Sequence, residues 1–197
     1  MIAYYLTVAS FGYLMGSVPY GLLLTRLAGL GDIRAIGSGN IGATNVLRTG
    51  SKKLAAATLL LDALKGTVTV LLVRHLGHHG VALAGICAFL GHLFPFWLGF
   101  KGGKGVATGF GVFFGIAWPV GVICCAVWLL AALLFRYSSL AALAAYAAAP
   151  FAAWYFDGEA GLGVALFIAL MVYWRHAANI GRLATGQEPR IGRKSPA

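Results

Sequence analysis

Val106-Ala-Thr-Gly-Phe-Gly-Val-Phe-Phe-Gly-Ile-Ala-Trp-Pro-Val-Gly-Val-Ile-Cys-Cys-Ala-Val-Trp-Leu-Leu-Ala-Ala-Leu-Leu-Phe135 is the stretch whose length decides how the chain is laid out, and it contains no charged side chain. As one helix it would reach about 45 Å, well beyond a hydrocarbon core of roughly 30 Å, yet two full crossings need about 40 residues. Pro119 supplies the break. A short helix near Val106 to Ala117 followed by a full span from Pro119 to Phe135 fits the length, with the proline in the first helical turn where its missing N–H costs nothing. Around this stretch, single apolar helices are expected at Ile2 to Thr25, Leu54 to Val73, Val81 to Phe100, Leu140 to Phe156 and Gly161 to Trp174. The fold class read from the sequence is therefore all-α: a polytopic membrane helix bundle of seven transmembrane helices, one of them short.

Composition supports the same class. Of 197 residues, 60% are hydrophobic and only 10% charged, against about 25% charged in ordinary globular chains. Residues 1–197 read as one membrane domain with no soluble domain attached. Met1 to Leu24 has no basic leading segment and an apolar run too long for a signal peptide, so it reads as an uncleaved first span. Cys87, Cys124 and Cys125 all lie in apolar runs, without disulfide or zinc spacing. Fifteen Lys and Arg against five Asp and Glu give a net charge of +10, which points to anionic partners: lipid headgroups, a phosphate substrate, or both. A nucleic acid is not expected, since no water-exposed basic recognition motif is present.

The positive-inside rule tests the helix count, because each added or missing span flips every later loop. With the N-terminus outside and seven spans, the inner loops collect Arg26, Arg34, Arg48, Lys52, Lys53, Lys101, Lys104, Arg136, Arg175, Arg182, Arg190, Arg193 and Lys194, thirteen of the fifteen basic residues. Arg74 falls outside, as does the acidic turn Asp157-Gly158-Glu159. Six spans would instead part Arg136 and the basic tail from Lys101 and Lys104. The C-terminus is thus expected inside.

Three polar clusters then share one membrane face. The first is Ser38-Gly39-Asn40-Ile41-Gly42-Ala43-Thr44-Asn45, with Arg48 beyond it. Gly37 to Gly42 spells GxGxxG, but no strand precedes it and no acid follows at dinucleotide-binding distance. Glycines that let backbone amides approach a ligand, neutral Ser and Asn donors and an Arg fork suit a phosphate instead. The bland alternative is a solvated turn before a helix. The second cluster, Gly91-His92-Leu-Phe-Pro95 through Lys101-Gly102-Gly103-Lys104-Gly105-Val106-Ala107-Thr108, is the most specific. It is no Walker A loop, yet three glycines around Lys104 at the start of a helix make an anion site. The third places His176, Asn179 and Arg182 in helical register.

Other polar residues have plainer readings. Asp62 and Lys65 sit near mid-span, where each uncompensated charge is costly, and at i and i+3 they can pair; a role in holding the functional loops is the alternative. His75, His78 and His79 read as interfacial. Gly12-x-x-x-Gly16 and Gly111-x-x-x-Gly115 are spacings for close helix packing. No Ser-His-Asp set appears, so a covalent intermediate on a serine is not indicated. Two rival classes remain open at this point, a small membrane transporter of phosphorylated compounds and a non-catalytic lipid-binding module.

The three clusters together resemble the signature motifs of the bacterial membrane acyltransferases that use acyl phosphate to acylate glycerol 3-phosphate, and the likeness covers essentially the whole chain. The resemblance implies attack by the sn-1 hydroxyl of glycerol 3-phosphate on a fatty acyl phosphate, giving lysophosphatidate and phosphate as the first acylation of phospholipid synthesis. By position, Arg48, Lys104, His176 and Asn179 match the clamp on the glycerol 3-phosphate phosphate. Ser38, Asn40 and Asn45 match the loop lining the site, with Ser38, Asn40, Asn45, Lys104 and His176 the catalytic set. Lys101, Gly102, Gly103 and Gly105 match the acyl phosphate site, and Ser139 a substrate-binding position. This chain carries Ala142 where the family often has Ser. Neither cofactor nor metal is implied. The expected setting is a monomer among the lipids of the bacterial inner membrane, its active site facing the cytoplasm.

Overall fold

The computed structural model describes residues 1–77 and 79–192; His78, Arg193 and Lys194 lie outside the described residues. The described residues form helices and turns without a strand, in two compact units, Met1–Ile116 and Ala117–Ala197. Five helical stretches are long and apolar enough to cross a bilayer, Ile2–Leu27, Lys52–Leu76, Val81–Leu98, Trp118–Phe135 and Ser138–Arg175, and Val106–Ile116 is a shorter apolar helix.

The first unit holds α1 (Ile2–Gly16), α2 (Tyr20–Leu27), α3 (Ala43–Val46), α4 (Lys52–Leu76), α5 (Val81–Leu93) and α6 (Val106–Ile116). The unbroken helix expected over Ile2 to Thr25 is instead two, interrupted at residues 17–19, because Pro19 has no N–H to continue the ladder. A break inside an apolar environment strands carbonyls, and here side chains from elsewhere satisfy them. Trp97 Nε1 donates to the Ser17 carbonyl at 2.6 Å and Lys65 Nζ to the Val18 carbonyl at 2.9 Å. The helix expected to run to Phe100 likewise stops at Leu93, with Pro95 beginning a single 3₁₀ turn over Phe96–Leu98.

Both glycine pairs pack helices closely. A Cβ on Gly12 would lie 2.7 Å from the Ala84 carbonyl oxygen, and one on Gly16 would collide with that of Ala88, so α1 runs parallel to α5. A Cβ on Gly111 would strike the Ala63 carbonyl, and one on Gly115 would crowd the Val70 side chain, so α6 runs parallel to α4. Lys65 reaches His92 while Val70 faces Gly85, which makes α4 and α5 antiparallel. These directions gather the end of α2, the starts of α4 and α6 and the end of α5 at one end of the unit. At the other end Arg74 donates to the Ile116 carbonyl at 2.6 Å and the Tyr4 hydroxyl to the His79 carbonyl.

The second unit holds α7 (Trp118–Phe135), α8 (Ser138–Arg175) and α9 (Ala177–Ala184). The division expected at Pro119 is present. Ala117 is extended, and the proline follows in the first turn of α7. α8 packs along α7 and is itself interrupted at Gly158, whose φ of 63° and ψ of −148° only glycine adopts freely. Its halves, 138–157 and 159–175, extend the two helices expected there by one or two residues at each end.

Candidate active site

The first loop is built inward from Asn45, which is 2% exposed. Its side-chain oxygen accepts from the Ser38 N–H at 3.1 Å, while its Nδ2 donates to the carbonyls of Ile33 (2.8 Å), Ile36 (3.1 Å) and Asn40 (2.9 Å). One amide thus ties together four main-chain points of a segment that has little regular structure of its own. Asn40 Oδ1 closes a tighter turn onto the Gly42 N–H at 2.9 Å. Gly37 has φ +56°, and a Cβ there would collide with Asn45 Oδ1 and crowd the Arg48 guanidinium, so glycine is required for Arg48 to fold over the loop. Ser38 and Arg48 face outward. At the loop's root Asp32 is forked by Arg34 (2.6 Å) and met by Arg26 (2.8 Å), and these hydrogen bonds, Arg34's foremost, hold its carboxyl well below the usual range.

The glycine-rich loop folds back onto the end of α5. The Gly102 N–H donates to the Leu93 carbonyl and the Gly103 N–H to that of His92, each at 3.0 Å. Two terminal carbonyls of α5 are satisfied in this way. Gly105, at φ +86°, lies where a Cβ would strike the Phe89 ring, and Gly103 where one would strike His92 Nε2. Close packing therefore explains these two glycines directly. Lys101 is exposed, Lys104 half-buried, and α6 starts two residues after Lys104.

Beneath this loop Asp62, Lys65 and His92 are buried together. Lys65 Nζ lies 2.9 Å from Asp62 Oδ1 and 2.8 Å from His92 Nδ1. The pairing at i and i+3 expected from the sequence is present, with a third member added from α5.

In the second unit the turn after α9 returns Glu188 to the helix. Gly186 is left-handed at φ +69°, and the amides of Gln187 and Glu188 both donate to the Arg182 carbonyl. Glu188 then accepts from the Ser139 hydroxyl (2.7 Å), Asn179 Nδ2 (2.6 Å) and Arg182 Nε (2.7 Å). Burial pushes its carboxyl up, but the three hydrogen bonds together outweigh this and hold it below its ordinary value. His176 is buried, and its Nδ1 lies 2.8 Å from the Val172 carbonyl. A carbonyl only accepts, so Nδ1 carries a proton and this hydrogen bond fixes the orientation of the ring.

The structure thus assembles Ser38, Asn40, Asn45 and Arg48 in one loop and Lys101, Gly102, Gly103, Lys104 and Gly105 in another at the same end of the first unit, and Ser139, His176 and Asn179 in the second. Glu188 is the residue that the sequence reading passed over. Its signal was an acid in a basic cluster of a chain with only five carboxylates. Among the described residues no group of His, Cys, Asp or Glu is arranged to hold a metal ion.

The family described as Glycerol-3-phosphate acyltransferase matches residues 6–186. The chain belongs to this family. The glycerol-3-phosphate acyltransferase of Caulobacter vibrioides is 61% identical over 190 residues, covering 94% of this chain and 87% of that one. That of Mesorhizobium japonicum is 59% identical over 184 residues, covering 93% and 94%. A crystal structure of PlsY (YgiH), an integral membrane glycerol 3-phosphate acyltransferase, in its glycerol 3-phosphate form, superposes with a TM-score of 0.90 at 38% identity, over 95% of this chain and 96% of that one. A lysophosphatidic acid form of PlsY superposes at 0.88. This family member is accordingly an integral membrane acyltransferase of phospholipid synthesis, and the transporter and lipid-binding readings fall away.

Proposed function

We propose that the chain transfers a fatty acyl group from acyl phosphate to the sn-1 hydroxyl of glycerol 3-phosphate. The sn-1 oxygen forms a bond to the acyl carbonyl carbon, the carbon–oxygen bond to phosphate breaks, and lysophosphatidate and inorganic phosphate leave. The glycerol 3-phosphate and lysophosphatidic acid forms of the similar PlsY support this acceptor and product.

For the direct route, the observation that carries most weight is the state of His176. Its Nδ1 is oriented by a main-chain carbonyl where a nucleophilic triad would use a carboxylate, and the Ser139 hydroxyl is given to Glu188. An acyl phosphate is already activated, so holding two anions in register and neutralising their charge supplies much of the acceleration. Arg48, Lys104, His176 and Asn179 bind the glycerol 3-phosphate phosphate in this reading. Lys101 with Gly102, Gly103 and Gly105 holds the acyl phosphate, Ser38 and Asn40 line the site, and Asn45 shapes their loop. Ser139 contributes through Glu188. A phosphate oxygen of the substrates takes the proton lost by the sn-1 hydroxyl. The enzyme works as a monomer of seven spans in the bacterial inner membrane, N-terminus outside, its active site on the cytoplasmic face where thirteen basic residues fall.

The test offers purified protein glycerol 3-phosphate with palmitoyl phosphate, palmitoyl-CoA or palmitoyl-ACP separately, following lysophosphatidate and phosphate. Product from acyl phosphate alone is expected; transfer from CoA or ACP overturns the donor. For the proton, a His176→Gln variant that keeps glycerol 3-phosphate affinity but loses turnover together with a basic limb of the pH profile would make His176 the base.

A further inference from the structure

The buried cluster of Asp62, Lys65 and His92 joins the roots of both loops of the proposed site. The Lys65 ammonium faces three acceptors: the Val18 carbonyl at 2.9 Å, His92 Nδ1 at 2.8 Å and Asp62 Oδ1 at 2.9 Å. Val18 lies in the break from which α2 departs, and α2 leads into the Ser38–Arg48 loop. Gly21 of α2 packs so tightly on that loop that a Cβ would strike the Ile41 carbonyl. On the other side, an ammonium can only donate, so His92 Nδ1 accepts and the ring proton sits on Nε2. Nε2 is the atom that bears on Gly103, and the Gly102 and Gly103 amides are bonded to the carbonyls of Leu93 and His92.

An ion pair in an apolar span carries a desolvation cost that apolar side chains of similar size would not. A helix could be held there by apolar contacts alone. What apolar contacts do not provide is a directional tie at once to a stranded carbonyl and to one chosen nitrogen of an imidazole.

We infer that Lys65, with its charge balanced by Asp62, is a positioning residue for acyl transfer: it fixes the His92 ring against Gly103 and anchors the α1–α2 break at Val18, and so sets the Lys101–Gly105 loop in register with the Ser38–Arg48 loop. The inference rests on the proposed reaction. It assigns none of the three side chains to substrate contact.

The key variant is His92→Asn, whose shorter side chain keeps an acceptor for Lys65 but withdraws from Gly103. Its thermal unfolding is expected to stay within a few degrees of wild type, while kcat/KM falls on the order of tenfold or more with a rise in the KM of at least one substrate, as for a site whose parts are slightly misplaced. The double variant Asp62→Asn/Lys65→Gln, which leaves no lone buried charge, is expected to show the same kinetic pattern. Gly103→Ala drives a Cβ into the His92 ring, so Gly103→Ala/His92→Asn is expected to be more active than Gly103→Ala alone, although each change is harmful singly. Three results each overturn the inference: His92→Asn within about twofold of wild type in kcat and both KM values; a loss matching a fall in folded fraction; or no recovery in the double variant. Absence of turnover in the wild-type protein sinks the proposed reaction, and the inference with it; an active wild type with an unaffected His92→Asn sinks the inference alone.

Discussion

Asn45→Ala removes four hydrogen bonds from the first loop at once, those linking the side chain to Ser38, Ile33, Ile36 and Asn40. The Ile33 partner is buried, whereas water can replace the amide at the three part-buried ones. At about 1 kcal/mol for each neutral bond, reduced where water enters and increased at the stranded Ile33 carbonyl, the loop loses about 3 kcal/mol of order. If that order is what presents Ser38 and Arg48 to glycerol 3-phosphate, the same energy appears in the kinetics as roughly a hundredfold fall in kcat/KM for this substrate. The sharper perturbation is Asn45→Asp. It keeps the shape and the acceptor for the Ser38 amide but sets a carboxylate oxygen against three carbonyls, so an isosteric replacement should do no better than alanine. Initial rates with glycerol 3-phosphate varied at saturating acyl phosphate, and unfolding followed in parallel, read both quantities. Wild-type KM and turnover in Asn45→Asp, or a loss accounted for entirely by unfolding, would refute the reasoning.

Glu188→Gln replaces three charge-assisted bonds by weaker ones and should cost about 3 kcal/mol near neutral pH, read as a lower Tm. Because the folded carboxyl is held below its ordinary value of 4.5, its stabilisation is complete above that pH and is lost as pH falls toward the folded value, so the Tm gap between wild type and Glu188→Gln should close on acidification. Gly37→Ala combines a left-handed backbone with a collision on Asn45 and Arg48, whereas a Cβ on Gly39, at φ +67°, would meet only the Arg34 carbonyl at 3.3 Å; Gly37→Ala should therefore raise the KM for glycerol 3-phosphate more than Gly39→Ala does. Gly111→Ala, whose Cβ would strike the Ala63 carbonyl, should lower Tm by separating α6 from α4, while a control at Gly163, with open space around it, should not.

What the sequence made legible depended on whether the deciding contact was local. The split of Val106 to Phe135 was readable because length alone forbids one helix or two full ones and Pro119 marks the place. The break at Pro19 was not, since the apolar run continues through it and the groups that make it tolerable, Trp97 and Lys65, lie 80 and 47 residues away. The glycine loops stood out by composition, but composition cannot tell an amide that faces a ligand from one that builds the loop. Asn45 turns inward on four main-chain groups while Ser38 and Arg48 turn out, and nothing in Ser38-Gly-Asn-Ile-Gly-Ala-Thr-Asn45 marks that difference. Glu188 was hidden for the same reason. Asn179 and Arg182 are near it in sequence and the Gly186 turn is local, but Ser139, at the start of α8, lies 49 residues away.

The placement of the few acids fits the charge of the proposed substrates. In the proposed reaction two phosphate-bearing molecules repel as they approach, and a surplus of positive charge must offset this where they meet. The chain has fifteen basic residues, and three of its five acids are paired with particular ones: Asp32 with Arg26 and Arg34, Asp62 with Lys65, Glu188 with Arg182. Each of these pairs holds a loop or a helix end. Among the described residues Arg48 and Lys101 make no ion pair with a carboxylate, and they stand in the two loops assigned to the substrates. Acids therefore fix the scaffold and leave the field at the loops positive. Screening should expose this division. Raising ionic strength from low to about 0.5 M, where the Debye length falls to roughly 4 Å, should raise the KM for glycerol 3-phosphate well before it lowers Tm, because the Asp62–Lys65 pair and the Glu188 carboxylate are buried and the outward cations are not. A KM indifferent to salt, or one that changes only as the protein unfolds, would mean that the exposed cations do not act on the substrate.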